Sequence, residues 1–213
     1  MLARVAARRC PGCATTLVRA LSTVPDAAQL PADVERETGL CADGDVRICS
    51  SGNKGFGAFA ARPMAVGHEV GRYVGEAMAL GELMMRYWPG GGESLEGAKL
   101  LMEHQAFLAD REARGVGMTG KYIFNAGRCP NTYRDIVVDA EDPALANWTR
   151  YINHSEKRPN LSAEPEVLRG ADAKAPGTPL IRFVVVGPIA EGDELLFDYG
   201  DGFELDVLGF EDP

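Results

Sequence analysis

The sequence predicts a β-rich α+β domain, on three observations. From Asp45 onward, short apolar alternations are broken every few residues by Gly, Pro and Asn, the punctuation of hairpins. Residues 94–114 change to helical spacing. Near the end two apolar runs, "LIRFVVV" and "ELLFDYG", flank a turn around "AEGD". Several short strands and one helical insert make an α+β domain, mainly β.

Residues 1–25, "MLARVAARRCPGCATTLVRALSTVP", hold Arg4, Arg8, Arg9 and Arg19 and no acid. An Arg-rich, hydroxyl-containing, acid-free start fits an organelle transit peptide that is removed after import. A disordered basic tail is the alternative. Cys10 and Cys13 form a C-x-x-C, but no second pair stands at zinc-finger spacing, so no metal site is expected. Residues 26–44 are mixed and polar and read as a linker. The segment "DVRICSS" reads as a strand, and "NKGFGAFAARPMAVGHEVGRYVGEAM" as hairpins. After the flexible break "PGGGE", Leu100, Leu101, Phe107 and Leu108 fall at helical spacing among charged residues, giving an amphipathic helix. "KYIFNAG" and "DIVVDA" are strand-like again, and residues 205–213 form an acidic tail.

The 213 residues suffice for one domain with a proper core, and 46% hydrophobic with 25% charged residues is an ordinary globular balance. No apolar run approaches the roughly 18 residues of a membrane span. Five cysteines, an odd number at irregular spacing, argue against a disulfide framework. Setting aside the four N-terminal arginines leaves 18 basic against all 31 acidic residues, a net charge of −13. Such a body repels a phosphate backbone, so direct nucleic-acid binding is not expected. A basic peptide is the natural partner.

Three segments carry candidate chemistry. In "NKGFGAF", Gly55 and Gly57 flank Phe56 and let the backbone approach a ligand or take positive φ. A plain hairpin turn explains the same residues. It lacks the third Gly and the helix of a nucleotide-binding loop. In "NWTRYINHSEKRPN", Asn153 and His154 supply amide and imidazole groups beside the apolar Tyr151 and Ile152. A satisfied structural histidine is the ordinary reading of one His such as His154, and with three His in the chain a metal cluster or a Ser-His-Asp relay is hard to assemble. In "DELLFDYGDGF", Phe197 and Tyr199 fall on one side of a strand, as a cavity lining or as core aromatics.

Together and in this order, the segments resemble the SET domain of protein lysine methyltransferases. "KGFGAFA" is similar to the family's first cofactor motif, "RYINHSEKRPN" to its Asn-His signature, and "ELLFDYG" to its Phe-Asp-Tyr-Gly signature. The resemblance covers residues 45–204, with 81–121 as the variable insert that walls one side of the substrate groove. It implies that the Asn-His segment threads beneath the Tyr segment as a pseudoknot, an exception to the general avoidance of knots. It further implies S-adenosyl-L-methionine as cofactor and methyl transfer to a lysine of a histone or other protein. Gly55, Phe56 and Gly57 would lie against the methionine part, Asn153 would bind its amino and carboxylate end, and the His154 backbone would meet the adenine. Arg150 would bridge the signature to the cofactor pocket. Tyr199 matches the catalytic tyrosine, and Tyr122 a second phenol beside the target lysine. Phe197 would gate the lysine channel.

The chain departs from many relatives in having Glu156 after Ser155 and no Cys beyond Cys129, so a zinc-bearing C-terminal lid is not expected. Phe203, Phe210 or Leu208 would cover the channel instead, or simply pack the tail. A catalytically silent SET module that binds a peptide or protein partner is the alternative function. Intact Gly-x-Gly, Asn-His and Tyr199 argue against it. The N-terminus suggests mitochondrion or plastid, whereas a histone-tail substrate suggests the nucleus.

Overall fold

The structure, a computed structural model, describes residues 29–87, 95–129, 132–168 and 178–199. The N-terminal 28 residues, Phe203, Leu208, Phe210 and the acidic tail lie outside these ranges.

Strand β1 (Val46–Ser50) pairs antiparallel with β2 (Phe56–Ala60), Val46 opposite Ala60 and Ser50 opposite Phe56. Alternation sends Val46, Ile48, Ala58 and Ala60 into the core, each almost wholly buried. The chain continues through β3 (Glu69–Tyr73) and β4 (Glu76–Ala79) into α1 (Leu80–Tyr87) and α2 (Leu95–Ala113). Strands β5 (Ile123–Arg128) and β6 (Asp135–Asp139) then join β4 in a sheet ordered β4-β6-β5. A turn of 3-10 helix, Trp148–Tyr151, leads into β7 (Asn153–His154), β8 (Leu161–Leu168), β9 (Thr178–Val185) and β10 (Leu196–Phe197). These four strands and β3 form a sheet ordered β3-β9-β8-β10-β7. On β9 the alternating Ile181, Phe183 and Val185 are buried, and each contributes about 1.5–3 kcal/mol of apolar burial.

Within that last sheet, β10 enters between β7 and β8 and runs parallel to both, with Phe197 opposite His154 on one side and Leu161 on the other. A late segment thus inserts between two strands that are consecutive in the chain. Asn160, the end of the Pro-Asn turn, secures the insertion. Its side chain donates to the Glu194 carbonyl at 2.8 Å and accepts from the Leu196 N–H at 2.9 Å, while its own N–H reaches the Leu196 carbonyl at 3.0 Å. Asn160→Ala strips two partly buried backbone groups of their partners and should cost about 1–3 kcal/mol. Urea unfolding checks this, and an unchanged midpoint would remove Asn160 from the clamp.

The helix expected at 94–114 is α2, but its packing differs from the expected apolar stripe. Leu101, Met102 and Leu108 are exposed, and the anchor is instead a charged residue, Arg111, at 2% exposure. Helix α1 was not foreseen, because eight residues with only Leu83 buried give too few turns for a period to show. Nor was β8, whose sequence "LSAEPEVL" contains a proline. Strand β10 touches β8 only at Leu161, so at Pro165 β8 is an edge, where a strand admits a residue without an N–H. Residues 29–44 are a correction to the linker reading. Leu30, Pro31, Val34 and Cys41 are buried, and the Ile48 N–H bonds the Gly39 carbonyl at 2.7 Å. A few well-placed apolar residues dock a segment whose average composition is polar.

Candidate active site

A cavity of about 400 Å³ opens between β5, the Trp148–Tyr151 turn and the end of β10. Its wall is aromatic: Tyr73, Phe124, Phe197 and Tyr199 all line it. Phe197 stacks on Phe124 at 5.4 Å and meets the Tyr199 ring at 4.5 Å, so strand alternation does put Phe197 and Tyr199 on one side. Phe124 in turn packs on Tyr73 at 5.3 Å. These rings hold one another in place. Burial pushes the Tyr199 phenol up to about 12, so it stays neutral, and its O–H donates to the Ile152 carbonyl at 3.3 Å. Burial likewise raises Tyr73 well above the usual phenol range, and its O–H donates to the Tyr122 carbonyl at 2.7 Å.

Arg150 lines the same cavity. Its guanidinium donates to the carbonyls of Gln29 (3.3 Å) and Glu141 (3.0 Å) and lies 3.9 Å from the centre of the Tyr122 ring. None of these partners belongs to the Gly55–Gly57 turn. Tyr122 is absent from the lining, and its ring carries the Arg150 guanidinium. Beneath them, burial raises the Glu141 carboxyl above its ordinary range against the opposing bonds from the Thr119 hydroxyl and Gly120 N–H. The cavity can therefore hold a long side chain among rings, beside the cations of Arg150 and Lys121 and the carboxylate of Asp198.

The second cluster forms at the Gly55–Gly57 turn. Gly55 has φ of 81°, with open space where a Cβ would stand. At Gly57 a Cβ would come within 2.6 Å of Glu194 Oε1 and 3.0 Å of Asn153 Nδ2, so a side chain there would have to displace the carboxylate. The Asn153 amide donates to the Phe56 carbonyl at 3.1 Å and to Glu194 at 2.8 Å, and the Ser51 hydroxyl donates to the same Glu194 oxygen at 2.6 Å. The Lys54 ammonium bonds the His154 carbonyl at 2.9 Å. His154 ties the two clusters together: its Nδ1 accepts the Tyr199 backbone N–H at 3.1 Å, and the two rings lie 4.9 Å apart. With Nδ1 accepting, the neutral imidazole carries its proton on Nε2.

Of the residues singled out in sequence, the structure brings Gly55, Phe56, Gly57 and Asn153 together, joins Phe197, Tyr199 and Arg150 at the cavity, and sets His154 between. Phe203 lies outside the described residues. Ser51, Lys54, Tyr73 and Glu194 were not singled out. Glu194 opens the quoted "ELLFDYG" run, yet its partner Ser51 is 143 residues away, a separation that leaves no local pattern.

A family model for the SET domain matches residues 55–200. Among solved structures the chain is similar to the Neurospora SET domain protein DIM-5, a histone lysine methyltransferase, at 23% identity and a TM-score of 0.50, over 75% of this chain and 53% of that one. It is also similar to CpSET8 from Cryptosporidium at 26% identity and a TM-score of 0.46, over 73% of this chain and 57% of that one. The chain thus spans little more than half the length of these structures. Curated protein sequences give no match.

Proposed function

The chain belongs to the SET-domain family, and from that premise we propose that it is an S-adenosylmethionine-dependent protein-lysine N-methyltransferase. The observation that supports this most is the convergence of three segments. The parallel insertion of β10 beside β7 brings the Asn153–His154 and Phe197–Tyr199 pairs together, and Asn153 bonds the Gly55–Gly57 turn. A polar cluster fit for an amino-acid moiety thereby adjoins an aromatic cavity fit for a lysine stem.

The residues present fit the cofactor. Gly55 offers open space beside its backbone, the Asn153 amide its oxygen, and Lys54 a cation for a carboxylate. When bound, S-adenosylmethionine supplies a methyl already activated by its sulfonium. The protein's share is then alignment and exclusion of water. A free lysine amine has a pKa of about 10.4 and must lose its proton to attack. The walls of Phe124, Phe197 and Tyr199 withhold the water that an ammonium needs, and the cations of Arg150 and Lys121 add like charge against the carboxylate of Asp198, so the balance lowers that pKa. The neutral Tyr199 phenol orients the amine. The acidic body favours a basic, lysine-bearing protein segment as substrate, a histone tail included.

Thermal unfolding with S-adenosylmethionine or S-adenosylhomocysteine tests the binding half. Ligand at a hundred times its Kd should stabilise the protein by about 2.7 kcal/mol, and no shift at millimolar ligand would overturn the reading. Asn153→Ala should weaken S-adenosylhomocysteine by about 1.5–3 kcal/mol, roughly ten- to over a hundredfold in calorimetry. An unchanged affinity would remove Asn153 from the pocket.

Product multiplicity follows from Phe197. Its ring closes the cavity 4.5 Å from Tyr199 and carries no hydroxyl to hold a water beside the amine. A methylated amine therefore finds room to turn into line, and the wild type should pass beyond monomethyl-lysine. Phe197→Tyr should shift product toward the monomethyl form with a modest loss in the first transfer. Mass spectrometry at long reaction times decides, and a wild-type reaction that stops at one methyl group would refute the gate.

A further inference from the structure

Resting on that reading, we propose that Glu194 is a positioning residue: it fixes the Asn153 amide so that its oxygen, not its nitrogen, meets the ammonium of the cofactor's amino-acid end. The two hydrogens of Asn153 Nδ2 go to Glu194 Oε1 at 2.8 Å and to the Phe56 carbonyl at 3.1 Å. A carboxylate and a backbone carbonyl can only accept, so the amide cannot turn over without setting oxygen against oxygen. Its oxygen is left as the free end, and an acceptor selects a donor: an ammonium rather than a carboxylate.

Glu194 is itself held firmly. The Ser51 hydroxyl donates to the same Oε1 at 2.6 Å, and the backbone at 194 and 195 is bridged to β2 through Phe59 and Ala58. Gly57 gains a reason as well. A side chain there would occupy the 2.6 Å gap to the carboxylate and part it from the amide. The carboxylate, 2.8 Å from the amide nitrogen, also favours a nearby cation.

The test is calorimetry with two ligands, S-adenosylhomocysteine and its desamino analogue, which keeps the carboxylate, thioether and adenosine but has no amine. Wild type should prefer the amine-bearing ligand at least tenfold. In Glu194→Ala the amide is free to turn, and the preference should fall to about threefold or less. Glu194→Gln, which keeps an acceptor oxygen at the same reach, should restore most of it. A merely structural glutamate would weaken both ligands alike, and a common loss overturns the assignment, as does an unmoved preference. Should Glu194→Ala not fold, Glu194→Leu, which fills the same space without an acceptor, takes its place and must lose the preference alike; a preference kept in Glu194→Leu overturns the assignment too. A wild type that binds neither ligand overturns the proposed function itself.

Discussion

Tyr199→Phe is expected to slow methyl transfer by about 100- to 1,000-fold, the loss typical of removing one preorganised polar contact from a reacting centre. The change deletes only an oxygen. The ring stays packed between Phe197 at 4.5 Å and His154 at 4.9 Å, and the backbone N–H at 199 still donates to His154 Nδ1. Melting temperature and S-adenosylhomocysteine affinity should therefore hold. The pH profile separates the phenol from the substrate amine. Tyr199, pushed up to about 12 by burial, remains protonated through neutral and mildly alkaline pH. The amine reacts only when neutral, so the rate should climb with pH up to the amine's lowered pKa, and climb in the same way in Tyr199→Phe. Undiminished turnover in the variant would take Tyr199 out of the mechanism.

The second large effect is on stability. Arg111→Met should destabilise the protein by about 3–5 kcal/mol, because it leaves a buried carboxylate without its counter-ion. Asp139 is fully buried and Arg111 2% exposed, and they meet at 2.8 Å. The Tyr87 hydroxyl donates to the same Asp139 oxygen at 2.9 Å, and the Arg111 guanidinium packs 4.7 Å from the Phe107 ring and also donates to the Gly117 carbonyl. This cluster fastens α1 and α2 to β6, next to the strand that walls the cavity. A native domain has only about 5–15 kcal/mol in hand, so the variant should be poorly folded at physiological temperature. Arg111→Met/Asp139→Asn, which removes both charges, should recover part of the loss. Urea unfolding measures both variants, and a single variant within about 0.5 kcal/mol of wild type would show the pair to be incidental.

Why some of this was legible in sequence and some was not comes down to range. The alternation in β1 and the period of α2 are local, and these two elements fall within a residue or two of their expected bounds, while β2 lies inside the stretch read as hairpins. The Gly-x-Gly, Asn-His and Phe-Asp-Tyr segments stood out because unusual residue types crowd into a few positions. Strand β8 was hidden by Glu164, Pro165 and Glu166, which its exposed edge tolerates. The docking of residues 29–44 depends on Leu30, Val34 and Cys41 finding partners far along the chain. The same holds for α2, where a helical period suggested an apolar face and a buried arginine does the anchoring. Glu194 was in view from the start, but its meaning needs Ser51, Gly57 and Asn153 in one place.

The most direct measurement is mass spectrometry of basic lysine-bearing peptides, histone-tail sequences included, after incubation with the protein and S-adenosylmethionine carrying an isotopically labelled methyl group. Label on a lysine side-chain nitrogen, present with wild type and largely lost with Tyr199→Phe, is the expected result. A protein that binds S-adenosylhomocysteine yet labels no peptide, and no protein in an extract, would contradict a catalytic role and leave a SET module that only binds.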